Sequence, residues 1–466
     1  MEVVEDKTDI QTGAVEKGDS SSTSRNLDDL PEIERVPDGW ELDTIEGVAE
    51  DVLGGGTPSK SNEDYWGGEI PWASVKDLDG VAIQGTEDYI TEEGVENSAT
   101  NLISSGSVVI STRMTVGEAF MNLVDMAINQ DLKAIKPDDS RVNTRFLVYV
   151  LRGKDRYLKS LGRGTTVSGI TTADLKRTHF ARPPLPEQRK IASVLYAVDQ
   201  AIQKTEAIIE QAKRVKRGLI RSLLKKGIRP DGKIRDLDCE PESFQKTRLG
   251  TIPERWSIAQ FKEAATLRHG FQFRSYHFSE AGYPVVKIKN VTDDGTLDMS
   301  DASRIPKSEA DQFEDVELFE GDLLMSLTGN IGRVVEVPKT NVRLFQNYRV
   351  GRFTSQDQKK LSSGFLKLVL SSDLFYKQLM RQSSKTAQSN IGKKDFQRTL
   401  LPIPPLEEQN RISEKVEAHL EYIQQEKSNV DRLRRLKKGL MQDLLTGEVR
   451  TMDKAIEVLG EVKAHG

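Results

Sequence analysis

The 466-residue sequence has one cysteine, Cys239, and five histidines. A single thiol excludes an internal disulfide framework and any CxxC metal or redox pair, and without an HExxH spacing no zinc hydrolase is expected. No stretch approaches the about 20 consecutive apolar residues of a membrane-spanning helix. The N-terminus, MEVVEDKTDI, lacks the basic flank and apolar core of a signal peptide, so no membrane role and a cytoplasmic location are expected. No segment fits a Walker A loop or a GxGxxG fingerprint, because Gly54-Gly55-Gly56 and Gly162-Arg163-Gly164 read as turns. The Asn-Pro-Pro-Tyr and Asp-Pro-Pro-Phe tetrapeptides that amino-methyltransferases use are missing too.

What is present points to several folded units. The length fits roughly two to four domains at about 150 residues each. With 36% hydrophobic and 30% charged residues the chain is polar but not poor enough in apolar residues to lack a core. The net charge of −5 is unevenly spread. Residues 1–40 hold eleven acids and four bases, which leaves the rest at +2. Lys213 to Arg229 has eight bases and no acid, and Arg432 to Lys438 has five bases in seven residues. The acidic overall balance is therefore no evidence against DNA.

The chain repeats itself at an offset of about 216 to 221 residues. Val36-Pro37-Asp38-Gly39-Trp40 matches Ile252-Pro253-Glu254-Arg255-Trp256, and a run with Gly106, Ser111 and Gly117 matches one with Gly321, Ser326 and Gly332. Ser168-Gly169-Ile170 with Asp174 matches Ser389-Asn390-Ile391 with Asp395. From Pro184-Leu185-Pro186-Glu187-Gln188 against Pro405-Leu406-Glu407-Glu408-Gln409 the match runs without a gap to Arg229 against Arg450. A nuclease pattern can be forced from Pro137-Asp138 with Asp174-Leu175-Lys176. Asp395 repeats the aspartate without that lysine spacing, which favours a helix cap and a non-catalytic chain.

Each copy begins with about 150 residues of short β-branched runs, among them Ser107 to Ser111, Tyr283 to Ile288 and Asp322 to Ser326, between Gly-rich turns. This reads as a compact α/β domain. Each ends in one long helix, opened by prolines 183, 184 and 186 or 402, 404 and 405. Ile191, Leu195, Val198, Ile202, Thr205, Ile209, Ala212, Leu219 and Leu223 form a heptad seam, matched by Ile412, Val416, His419, Ile423, Glu426, Val430, Leu433, Leu440 and Leu444. Matched seams favour the helices packing on each other, although packing of each on its own domain is the plainer alternative. Either direction is within reach, but antiparallel pairing also relates the two copies by a pseudo-twofold axis. It would set Ala212 opposite His419, and Thr205 and Glu426 at the centre. Gly218 and Gly439 each cost a helix interior about 1 kcal/mol; close approach of another helix, from the paired coil or a partner, accounts for them better than a local break.

These residues resemble the specificity (S) subunits of type I restriction-modification enzymes over about residues 34 to 450. The telling pieces are Gly55-Gly56-Thr57-Pro58-Ser59-Lys60 followed by Tyr65-Trp66-Gly67-Gly68 and Ile70-Pro71-Trp72, the two Pro-Pro-Leu-x-Glu-Gln helix starts, and Lys437-Lys438-Gly439-Leu440 with Leu444-Leu445-Thr446-Gly447. The resemblance implies an α+β chain with two target-recognition domains in tandem, joined by long helices that form an antiparallel coiled coil. It also implies a double-stranded DNA partner, two methyltransferase (M) subunits and two restriction (R) subunits. The expected division is a disordered acidic tail (1–33), recognition domain (34–184), helix (185–229), polar linker (230–250), recognition domain (251–404), helix (405–447) and tail (448–466). No cofactor is expected on this chain; S-adenosylmethionine, ATP and Mg belong to the partner subunits. The second domain has Arg268-His269-Gly270-Phe271 where the first has its Gly-Gly-Thr-Pro loop, so the two half-sites should differ.

Bases are read by Arg, Lys, Asn and Gln in the grooves, while further bases hold phosphates. Candidates in the first domain are Thr57, Ser59, Lys60, Lys76 and Arg113. In the second they are Arg268, Gln272, Arg274, Lys287, Lys289, Asn290, Asn330 and Arg333. Any one of them alone reads more readily as a solvated or phosphate-holding side chain than as a base reader. Trp40 and Trp256 recur and read as core, whereas Trp66 and Trp72 fit core or groove. A competing class is a coiled-coil scaffold whose flanking domains bind protein or peptide. The purified chain is expected neither to methylate nor to cut DNA, and equilibrium dialysis should show no binding of S-adenosylmethionine; stoichiometric binding would contradict this.

Overall fold

The structure, a computed structural model, describes residues 36–162, 169–329, 331–382 and 391–450. The expected tail 1–33 lies outside the described residues, as does the expected tail 448–466 beyond residue 450. Two compact units emerge: residues 204–431 form one, and the stretches before and after them the other. Each unit takes one β-rich domain and part of both long helices. No helix among the described residues is long and apolar enough to cross a membrane.

In the first unit a five-stranded sheet runs in the order Ala49–Gly54, Leu132–Pro137, Val108–Ser111, Ala119–Asn122, Ala82–Ile83. A four-stranded sheet has the order Asp88–Ile90, Trp66–Ala73, Met126–Ile128, Asn101–Ile103, its middle pair parallel. A two-stranded ribbon, Glu41–Thr44 with His179–Arg182, joins the domain's first strand to its last. In the second unit the orders are Ala265–His269, Val350–Ser355, Leu323–Ser326, Val334–Glu336 and Arg304–Ile305, Tyr283–Val286, Leu344–Gln346, Glu317–Leu318, again with a parallel middle pair. The ribbon returns as Ser257–Gln260 with Leu400–Ile403. The duplication is thus one of topology; among the described residues the extra Ala82–Ile83 strand of the first unit and the Phe244–Thr247 hairpin of the second depart from it. Fully buried β-branched runs, Val108-Val109-Ile110 above all, form the sheet interiors. Against them pack the helices Thr144–Gly153 and Ser363–Leu370, capped by Asn143 and Ser362, whose side chains accept the N–H of Phe146 and Phe365.

The central helix spans Leu185–Lys226 and the C-terminal helix Leu406–Thr446. At 1.5 Å per residue each is about 60 Å long. In the first unit Leu440, Met441, Leu444 and Leu445, near the end of one helix, join the core that holds Ile191, Ala192 and Leu195, near the start of the other. In the second unit Leu219, Leu223 and Leu224 likewise meet Ile412, Val416 and Leu420. The helices are therefore antiparallel, and each also packs on its own domain where it starts. His419 Nε2–H donates to the Ala212 carbonyl at 2.9 Å, the neighbours that the seam predicts. Tyr149 donates to Asp199 at 2.7 Å, and Lys437 pairs with the same carboxylate at 2.6 Å, so one aspartate ties the first domain to both helices.

The Pro-Pro-Leu-x-Glu-Gln starts now have physical roles. Gln188 and Gln409 are fully buried. Their amides donate to Pro183 O and Pro404 O at 2.8 Å, and their carbonyls accept Asn143 N–H at 2.8 Å and Ser362 N–H at 2.9 Å. Glu187 accepts the indole N–H of Trp40 at 3.1 Å and faces Arg450, beyond the end of the other helix, at 3.3 Å. Glu408 repeats this with Trp256 at 3.1 Å and Arg235, and adds the Ile228 N–H at 2.8 Å. Trp40 and Trp256 are buried, and each closes over a helix-ending glycine with positive φ, Gly447 at 74° and Gly227 at 67°. A Cβ there would come within 3.3 Å of Trp40 Cζ2 or 2.8 Å of Trp256 Cζ2.

Residues 230–250, expected as a polar linker, have a defined structure. Phe244–Thr247 pairs with Gly250–Pro253, Arg229 bonds Glu240, and Arg235 enters the Glu408 node. Charge pairs and backbone bonds organise this stretch, and its few apolar residues, Ile234 and Leu249 against the domain core, are too sparse to form a periodic pattern. Gly218 and Gly439 have open space where a Cβ would be, so among the described residues no helix of this chain approaches them, and neither helix breaks there.

Glu408 is 3% exposed and Arg235 13%. Glu408→Ala strands a buried guanidinium and should cost about 3–5 kcal/mol. Glu187→Ala, in the more exposed copy, should cost about 1–2 kcal/mol. Denaturant titration of the two variants checks this, and equal losses would contradict it.

Candidate nucleic-acid interface

In the first domain the Gly55 to Ser61 loop lies so close to the strand Met126–Ile128 that a Cβ on Gly55 would overlap the Ile128 carbonyl. Gly56 N–H donates to that carbonyl at 3.0 Å. Trp72 donates its indole N–H to Gly56 O at 3.0 Å, and Trp66 donates to Ser59 O at 3.2 Å, with the two rings edge to face at 5.1 Å. Both tryptophans therefore shape the loop, Trp72 from within the core. Thr57 donates to Gln130, while Ser59, bonded to Ser61 at 2.8 Å, and Lys60 stand exposed at the tip. Arg113 faces Asp131 at 3.7 Å, which brings it to the same rim as Thr57 through the adjacent Gln130 and Asp131. Lys76 instead faces Glu87 at 3.4 Å and Asp88 at 3.8 Å. The hydrogen bond to Glu87 and the two charges raise its pKa and offset the positive charge that a phosphate contact would use.

The second domain repeats the loop in other residues. A Cβ on Gly270 would overlap the Gln346 carbonyl, and Phe271 N–H donates to it at 3.0 Å, as Gly56 does to Ile128. Phe271, Phe273 and Phe313 cluster with centroids 4.9 to 5.0 Å apart and hold the loop in place of Trp66 and Trp72. Along it Arg268, Gln272 and Arg274 are exposed. The neighbouring Asn347–Arg349 turn docks through Tyr348 N–H to Phe271 O at 2.9 Å, and Arg349 Nε donates to the Tyr348 hydroxyl at 3.2 Å. Tyr276 is 74% exposed and stacks on His277 at 4.2 Å. Sequence reasoning missed Tyr276, Tyr348 and Arg349, because an exposed aromatic in a turn carries no periodic signal.

The other candidates are dispersed. Asn290 is fully buried; it accepts the Lys287 N–H at 2.9 Å and donates to Asp298 O at 2.8 Å, so it shapes its own loop and presents nothing to a base. Lys287 bonds Ser303 at 2.7 Å over the Phe278 ring, and burial, then Lys289, lowers its pKa. Lys289 pairs with Asp301 at 2.6 Å, and Arg333 bonds Asp293 at 2.6 Å. Asn330 lies outside the described residues. Asp174 closes a capping box, accepting the N–H of Thr171 at 3.0 Å while the Thr171 hydroxyl accepts the Asp174 N–H, and Asp395 caps its helix by accepting the N–H of Gly392 at 2.9 Å.

Two domains of one topology, differing at an exposed rim of Arg, Gln, Thr, Ser and Lys and sharing one two-helix frame, define a duplicated DNA-recognition module. The family model for the type I restriction modification DNA specificity domain matches residues 37–214 and again 253–433, and the chain belongs to that family. It is a DNA-recognising specificity subunit, not itself catalytic. Among its relatives, the type I restriction enzyme MjaVIII specificity subunit of Methanocaldococcus jannaschii is 27% identical over 89% of this chain and 94% of that one. The EcoR124I/EcoR124II specificity subunit of Escherichia coli is 33% identical over 31% of this chain and 38% of its own length. The fold is shared with the type I S subunit from M. genitalium, at 14% identity and TM-score 0.52 over 87% of this chain and 96% of that one. A chain from a structure of type I R-M complex assembly gives 17% and 0.55 over 89% and 100%.

Arg274→Ala is expected to weaken binding by about 1–3 kcal/mol at a base position it reads. Asn290→Ala should lower stability and leave sequence preference unchanged. Selection from a randomised DNA library, with thermal unfolding alongside, separates the two.

Proposed function

We propose that the two recognition domains, 34–184 and 251–404, each read one half of a bipartite, asymmetric double-stranded DNA target, and that the coiled coil sets the unread spacer. The observation that supports this most directly is one topology written twice with different rims: Thr57, Ser59 and Lys60 beside Gln130 in one, and Arg268, Gln272, Arg274, Tyr348 and Arg349 in the other. Arginine suits guanine and glutamine suits adenine in the major groove. The bases of Lys213 to Arg229 and Arg432 to Lys438 suit phosphates in the spacer, although Arg221 and Lys437 already have the carboxylate partners Asp373 and Asp199.

Two methyltransferase subunits dock on the coil in this reading, where Gly218 and Gly439 leave open places, and two restriction subunits join for cleavage. S-adenosylmethionine, ATP and Mg act on those partners, and the complex works in the cytoplasm. The scaffold alternative differs in salt response. Affinity for target DNA that falls steeply with salt supports DNA reading, and a flat response supports the scaffold.

The spacer supplies the sharper test. One heptad inserted in each helix, between Ile202 and Ile209 and between Ile423 and Val430, keeps the seam in register. It adds about 10.5 Å at 1.5 Å per residue, or about three base pairs at ~3.4 Å each. Mapping methylated sites should show unchanged half-sites and a longer spacer; altered half-sites or an unchanged spacer would sink the proposal.

A further inference from the structure

The second domain touches the C-terminal helix in two stretches. One is the helix start, where Glu408 takes Trp256 and Arg235, Gln409 bonds Ser362, and Ile412, Val416 and Leu420 join the domain core. The other is a turn, Thr292-Asp293-Asp294-Gly295-Thr296, whose Asp294 pairs with Lys427 at 2.7 Å. Lys427 lies nineteen residues beyond Glu408, or about 28 Å along the helix.

The turn is rigid for visible reasons. Thr296 donates to Asp294 at 2.8 Å, Thr292 N–H donates to Thr296 O at 3.1 Å, and Arg333 holds Asp293 at 2.6 Å. Val291, just before it, is fully buried in the domain core. Against the pull of burial, hydrogen bonds from Lys427, Thr292 and Thr296 hold the Asp294 carboxyl well below the usual carboxylate range, so it stays charged. Lys216 of the central helix is half-buried beside this pair. The first domain has a counterpart: Gly80, at the offset that relates Gly106 to Gly321, ends the Asp77-Leu78-Asp79-Gly80 turn. A Cβ there would lie 3.4 Å from Gln203 of the central helix. The same structural position thus meets a long helix in both copies.

We infer that Lys427 is a positioning residue whose ion pair with Asp294 fixes the tilt of the second recognition domain on the coil, and through it the spacer length the protein accepts. The inference rests on the proposed bipartite reading. At a lever arm of 28 Å, a tilt of about 7° moves the far anchor by roughly 3.4 Å, the rise of one base pair. The core contacts of the helix start reach Leu420, seven residues short of Lys427, and the Asp294 pair holds the domain on the helix beyond them.

The test uses the full chain assembled with its methyltransferase partner and DNA carrying both half-sites at the preferred spacer and at spacers one and two base pairs longer or shorter. Lys427→Ala should keep both half-site sequences and methylate the preferred spacer, while discrimination against a one-base-pair change falls by about fivefold, the full strength of a partly exposed ion pair. Asp294→Asn should behave alike, and Lys427→Arg should retain wild-type discrimination. Thermal unfolding within a few degrees of wild type shows that the fold is kept. Unchanged discrimination in Lys427→Ala overturns the inference, as does a loss of methylation equal at every spacer. A wild-type complex indifferent to half-site sequence or to spacer overturns the bipartite reading instead.

Discussion

A carboxylate at the first turn of each long helix is the interaction on which the rest depends. Glu187 and Glu408 sit where the helix dipole already favours negative charge. Each collects an indole N–H from its own domain and a guanidinium from the segment that follows the other helix. Hydrogen bonds to a charged group are worth about 1.5–3 kcal/mol each, and removing a partner leaves the remainder buried and unpaired. That asymmetry makes the node specific. A helix that slid by one turn would lose the arginine, the glycine cap over the tryptophan and the carboxylate together.

The frame and the rims obey different rules. In the frame, glutamine, glutamate, tryptophan and glycine recur at matching places because the same backbone groups must be satisfied twice. In the rims only the backbone contact recurs, Gly56 to Ile128 and Phe271 to Gln346. What supports that contact has been exchanged wholesale, two tryptophans in one domain and a cluster of phenylalanines in the other. Keeping the loop's seat while changing its support lets the exposed side chains differ without disturbing the helices.

Much of this was legible in the sequence. The repeat, the heptad seam and its antiparallel register are periodic, and periodicity survives in one dimension: Ala212 does meet His419. Asp174 and Asp395 read as caps for the same reason, since a cap is local. Legibility failed where the outcome turns on how an irregular loop folds back on itself. Nothing near Lys76 announces Glu87 and Asp88, and nothing near Asn290 says that its amide is consumed by Lys287 and Asp298. The hairpin at Phe244–Thr247 escaped notice because polar contacts hold it. Tyr276 and Tyr348 became visible only once two loops far apart in the chain stood side by side.

The crossed helix ends also set an order of completion. The second unit closes on itself within residues 204–431, its Arg235–Glu408 contact spanning 173 positions. The first must wait for Arg450, 263 positions after Glu187. Domains made on the ribosome fold as they emerge. The domain synthesised first is therefore the last to be finished, and until the final turns of the chain arrive the apolar surface around Ile191 and Leu195 stands uncovered. Damage to the C-terminal segment is therefore felt at the opposite end of the sequence, in the core of the first domain.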